Sequence, residues 1–290
     1  GIGFYFKSYP ALLVILFLMG TQSTFFGPIK YSLLPQHLKT DDLTGANGLI
    51  QAGTYAAIII GGFLGGTMIG TSQEKDLNLL IVMCIIAFAG RFSAHFIPSA
   101  QANAADLQIT LNPLLSGWNL IQKNLVKNET GTIIILISLF WFMGSAYFTL
   151  IPIYGKEILD ATATNVSLLT LALAIGVGIG SFICEKISRE TIDLGLVSIS
   201  IILILIISIE VYFLGEISSS PQQCNAFPFF FGQCFDRFFF DMIVLGIAGA
   251  LYVIPLYAAL QNRINKTHRA RTMAALNIMN AFFMVISSLF

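Results

Sequence analysis

Charge is what this chain lacks most. Only 10% of its 290 residues are Asp, Glu, Lys or Arg, while 56% are hydrophobic, a balance far outside soluble usage that also leaves no basic surface for nucleic acid. Cysteine and histidine are scarce as well. There is no paired CxxC, and His37, His95 and His268 lie far apart, so no zinc site, other metal centre or cofactor is expected. Cys84 and Cys184 fall within apolar runs, where a small buried side chain is the ordinary role. Away from their ends those runs hold no paired carboxylates, no Ser/His/Asp set and no Cys/His pair, so an enzyme is not expected.

What is present is length of apolar sequence. Mean hydropathy is +0.81, and a bilayer span needs about 20 mainly apolar residues, with helices or closed barrels the only way to satisfy backbone groups in lipid. Continuous runs favour helices. Such runs cover 9–34, 47–70, 77–97, 132–154, 164–184, 192–214, 239–260 and 273 to the end. Residues 1–6 read as the tail of an earlier apolar segment, so the expectation is a fragment lacking helices at both ends. The predicted fold is all-α and polytopic.

Orientation follows from basic residues, which concentrate in cytoplasmic loops. With the connection after the first run inside, eleven of the 15 Lys and Arg lie on that side, and only Lys7, Lys75, Lys156 and Arg237 lie outside. Cys224 and Cys234 then share an external loop where a disulfide or two free thiols are both open. The same loop is rich in Phe, which suits anchoring at the membrane interface. On the inside, Leu111, Leu114, Leu115, Trp118, Ile121 and Leu125 recur at helical spacing, as in an amphipathic helix lying on the membrane surface. The expected organisation is 1–97 as part of one helix bundle, 98–131 as a cytoplasmic linker, and 132–290 as a second, truncated bundle.

The most informative stretch is Phe25–Leu38, which sets Lys30 between Pro28 and Pro35 near the end of an apolar run. A lysine at such depth faces a protein interior, a watery cavity or the interface, so ligand binding, gating and snorkelling all remain open. Tyr31, Gln36, Asn47 and Gln51 are candidate hydrogen-bonding partners for a ligand. Asn47 and Gln51, one turn apart, suit helix packing equally well. Asn277 and Asn280 add amides on the last run, and Trp141 and Tyr147 either line an apolar path or pack. Pro28 and Pro35 interrupt the helical ladder and mark a gate or a fixed kink. Glycines 61, 62, 65, 66, 176, 178 and 180 suit close helix contact. Glu210, near the outer end of its run, is a lone carboxylate that would serve a coupling ion or the interface.

A faint internal echo relates Pro28, Tyr31 and Leu34 to Pro255, Tyr257 and Leu260. Halves related in this way are what major facilitator transporters show. Phe25–Leu38, Ala46–Gly66 and Ser138–Trp141 together resemble the lysophospholipid transporter family of that superfamily, and are especially similar to the transporter portion of bacterial fusions with an acyltransferase and an acyl-carrier-protein synthetase. The resemblance covers essentially the whole chain. It implies about eight of the twelve helices of that fold and inward movement of lysophospholipids such as lysophosphatidylethanolamine across the bacterial inner membrane, for reacylation by a fused or associated acyltransferase. The rival expectations are a facilitator for another small solute or drug and a membrane anchor for a fused acyltransferase. The chain departs from the family in having no basic residue in 132–154.

Overall fold

A computed structural model describes residues 8–68, 73–100, 112, 117–122, 128–159, 161–188, 192–218 and 234–289. Among them the regular structure is helical, with eight helices long and apolar enough to cross a membrane. They are α1 (Tyr9–His37), α2 (Leu43–Met68), α3 (Gln73–Ala94), α4 (Asn128–Glu157), α5 (Ala163–Ile187), α6 (Gly195–Ser218), α7 (Cys234–Arg263) and α8 (Arg269–Ser287). Each expected run lies within one of these helices or overlaps it. Most helices extend past the apolar run because polar turns at the ends still satisfy the backbone ladder; α3, α6 and α8 end short of the predicted limits on one side.

Local chemistry sets several ends. Ser8 accepts from the Ala11 N–H to cap α1, and Pro10 sits in the first turn, where its missing N–H costs nothing. Thr162 caps α5 through the Asn165 N–H at 3.3 Å. Cys224 lies outside the described residues, as does most of the predicted linker helix. Of that helix 117–122 is helical, with Trp118 exposed.

The core centres on α7, where every residue from Leu251 to Gln261 is buried. A helix buried on all sides needs partners all round. It finds them in α4, α5 and α6, and in α2. Contact with α5 is backbone on backbone. A Cβ on Gly180 would stand 2.6 Å from the Ile247 carbonyl oxygen, and one on Gly176 would stand 3.0 Å from the Gly246 Cα. A Cβ on Gly61, Gly62 or Gly178 would meet nothing within 4 Å among the described residues, so no helix approaches closely there.

Contacts also fix which helix ends lie together. Arg263 Nη1 meets Glu129 Oε2 at 3.6 Å, joining the end of α7 to the start of α4. Arg269, at the start of α8, donates from Nη1 to the Pro35 carbonyl of α1 at 3.3 Å. We call this the basic end of the molecule.

Candidate functional site

Between α1, α2, α4, α7 and α8 lies a cavity of about 460 Å3. Its walls carry Ser23, Thr24, Lys30 and Tyr31 from α1, Gln51 and Thr54 from α2, Trp141 from α4, Tyr257 from α7, and Asn277 and Asn280 from α8. Gly27 makes room there, since a Cβ at that position would stand 2.5 Å from the Asn277 Nδ2.

Two stacked rings form the floor. Tyr31 and Tyr257 lie 4.4 Å apart with planes 16° from parallel. Lys30 Nζ sits 4.8 Å from the centre of the Tyr31 ring, a cation–π arrangement that holds the ammonium at the cavity wall. Gln51 Nε2 reaches the Tyr31 hydroxyl at 3.4 Å, and Trp141 Nε1 donates to the Tyr257 hydroxyl at 3.3 Å. The Ser138 hydroxyl has one proton, and the Ile134 carbonyl takes it at 2.9 Å. The Asn280 amide nitrogen therefore donates to Ser138 Oγ at 2.9 Å, which turns its oxygen toward Trp141 Nε1 at 3.3 Å.

Below the rings, toward the basic end, a buried amide pair closes the passage. Asn47 Nδ2 donates to Gln261 Oε1 at 2.7 Å and to the Leu43 carbonyl at 2.8 Å. Gln261 Nε2 donates to Asn47 Oδ1 and to the Tyr31 carbonyl, both at 3.1 Å. The last bond has a covalent origin: Pro35 has no N–H for the carbonyl four residues before it, which is that of Tyr31. An amide from α7 thus completes the ladder of α1. Both amides are wholly buried, and every donor and acceptor of the pair is used.

A second cavity, apolar and about 40 Å3, is lined by Tyr55, Phe140, Met143, Tyr147, Leu173 and Leu245 among others. It has no lining residue in common with the first, but the two draw on neighbouring positions of α2 and α4. Thr54 and Tyr55 are successive on α2, and Phe140 and Trp141 are successive on α4 with their rings edge to face at 5.7 Å.

Of the residues singled out from sequence, the structure gathers Lys30, Tyr31, Gln51, Trp141, Asn277 and Asn280 around the larger cavity. Asn47 lies beneath it in the amide pair. Gln36 donates along its own helix to the Ser32 carbonyl, and Tyr147 lines the apolar cavity with its hydroxyl 2.6 Å from Ser208 Oγ. Sequence reasoning passed over Tyr257 as a wall residue and Gln261 altogether, and counted Arg269 only among the inner basic residues. The echo of Tyr31 in Tyr257 was the available signal for the stack.

A set of membrane helices enclosing a cavity with a cation and amides in its walls is what a solute carrier needs. The description Major Facilitator Superfamily fits residues 1–288. The chain belongs to that superfamily. Curated relatives carry the name lysophospholipid transporter LplT. The one from Escherichia fergusonii is 26% identical over 256 residues, covering 86% of this chain and 58% of its own length. The Klebsiella pneumoniae protein is 26% identical over 250 residues, covering 85% and 57%. A shorter match, 31% identical over 129 residues, links 44% of this chain to 31% of the Citrobacter koseri protein. The chain spans 58% of the length of the Escherichia fergusonii relative. No solved structure matches it.

Proposed function

We propose that the protein containing this chain moves lysophospholipids, such as lysophosphatidylethanolamine, inward across a bacterial inner membrane by alternating access. One observation carries the reading: a cavity between helices sets a cation and several amides into walls that are otherwise largely apolar, with a small apolar cavity near it on α2 and α4. A lysophospholipid has a charged phosphate head and a single tail, and it needs that pairing of surfaces. Lys30 offers a point charge to the phosphate, and Gln51 and Asn277 offer donors to the head. The apolar cavity is too small for a whole chain and marks the direction in which the tail would leave. At about 460 Å3 the larger cavity falls in the ordinary range for small-ligand sites.

The inward direction comes from the sequence resemblance, and the arrangement of the helices adds which end is closed. The basic end corresponds to the cytoplasm by the distribution of Lys and Arg, and the amide pair and stacked tyrosines close the passage on that side. A ligand would then enter from the outer leaflet and leave when Asn47 and Gln261 part. Reacylation by a fused or associated acyltransferase is the fate we assign to the imported lipid, on the strength of the sequence resemblance.

Uptake of labelled lysophosphatidylethanolamine into spheroplasts tests the reading with the full-length protein. Deleting the gene should abolish uptake, and Lys30→Ala should lower it about tenfold or more, the scale of one charge-assisted hydrogen bond of about 1.5–3 kcal/mol. Undiminished uptake after deletion would overturn the assignment.

A further inference from the structure

Far from the basic end, α6 and α7 hold a group of charges that the cavity does not use. Glu210 Oε1 accepts from Arg237 Nε at 2.6 Å and is also paired with Arg237 Nη2. Both side chains of this pair reach the surface, with 27% and 38% of their area exposed. One turn further along α7, Asp241 is only 2% exposed, and its Oδ2 has no hydrogen-bond partner among the described residues.

Among the described residues this carboxylate is short of one positive charge, because Arg237, which also acts on it, is shared with Glu210. α6 contributes Glu210, whose charge Arg237 already balances. From α4 comes Tyr154, near enough to interact with Asp241, though its hydroxyl is committed to the Val211 carbonyl at 3.0 Å and its ring to Phe238 at 4.6 Å. Lys156 and Glu157 stand beyond it in exposed positions, as does Asp236 at the start of α7. On α5 the ionisable side chains are Cys184, Glu185 and Lys186, all at the opposite end. A bare carboxylate buried in this way is strongly disfavoured, and the usual resolution is to bind a proton. A metal ion would need more oxygen ligands, and no group of three or more His, Cys, Asp or Glu side chains is assembled among the described residues.

We propose that Asp241 is a proton-binding site, reached from the outer surface by way of the Glu210–Arg237 pair. Its position gives the proton a mechanical consequence. Asp241 shares α7 with Tyr257 and Gln261, which lie about 24 Å and 30 Å further along at 1.5 Å per residue, so one helix, its ladder interrupted at Pro255, joins the proton site to the closed end of the passage. This consequence rests on the transport reading, whereas the site itself does not.

Infrared difference spectroscopy on the full-length protein in vesicles, stepping from alkaline to mildly acid buffer without lipid substrate, tests the site directly. A carboxylic acid C=O band should appear in the wild type and vanish in Asp241→Asn, while Glu210→Gln, which frees Arg237 for Asp241, should move its appearance to lower pH. The amide of Asp241→Asn copies the neutral acid and should leave the fold intact. No band in the wild type, a band unchanged in Asp241→Asn, or a band lost at every pH in Glu210→Gln alone would overturn the proposal. Suppression of the band by sodium at constant pH would also overturn it, by making the site one for a metal cation. Uptake of lysophosphatidylethanolamine by the same vesicles should depend on outer pH in the wild type and lose that dependence in Asp241→Asn. If uptake is missing in every variant while the band behaves as expected, the transport reading falls and the proton site stands.

Discussion

The two sides of α7 are held in opposite ways. Toward α5 it packs through Gly246 against Gly176 and through Ile247 and Ala250 against Gly180, with backbones in direct contact. Toward α1 and α2 it is held by side chains, namely a tyrosine stack and the Asn47–Gln261 amide pair. Lipid gives helices no hydrophobic reason to associate, so close packing of small residues is what makes a contact permanent. Amide pairs are worth less, and each partner can exchange its bonds with water or a ligand. The difference separates a fixed interior from a seam able to part. The cavity lies on the seam.

The largest effect should come from breaking the fixed side. Gly246→Leu drives a side chain into the α5 backbone, so it should cost about 3 kcal/mol or more and deplete folded protein, seen as loss of the monodisperse peak in detergent chromatography. Next comes the seam. Gln261→Leu leaves the Asn47 amide and the Tyr31 carbonyl unpaired in a buried place, which should shift the equilibrium toward the parted state by about 1–3 kcal/mol. Thiol labelling of a cysteine placed at Ser32 would report this as increased reactivity. Adding Asn47→Leu should recover part of the closure, because two apolar groups bury without an orphaned donor; the double variant reads the coupling.

Smaller effects sharpen the same contrast. Tyr31→Phe keeps the ring stack and loses the long bond from Gln51 and the hydroxyl contact with Tyr257, so labelling at Ser32 should move by about 0.5–1 kcal/mol. Glu129→Gln removes an ion pair whose acid side chain is 81% exposed. Such pairs contribute little, and thermal stability should be unchanged beyond about 0.5 kcal/mol. A large loss there would show that the basic end is held by surface charge and not by the buried amides.

Much of the fold was legible because apolar runs of span length have few alternatives in a membrane. Lys30, Gln51, Asn277 and Asn280 stood out for a related reason: polar groups in such runs must face something other than lipid. What sequence could not weigh was partnership across helices. Asn47 and Gln51 are one turn apart and looked equivalent, yet only Gln51 reaches the cavity, because Gln261 from a helix over two hundred residues away claims Asn47. Glu210 looked solitary because Arg237 and Asp241 belong to a different run. Pro35 read as a gate or a kink, and the amide that completes its ladder is invisible until α7 is in place.

Occupancy of the cavity between α1 and α8 by lysophospholipid follows from the proposed function. It is tested most directly by a photoactivatable lysophosphatidylethanolamine, cross-linked to the full-length protein and mapped by peptide mass spectrometry. The account predicts cross-links concentrated in Ser23–Tyr31 and Asn277–Met284 that unlabelled lysolipid competes away. Labelling confined to lipid-facing residues such as Ile202, Leu205 and Ile209 of α6, with no competition, would contradict it.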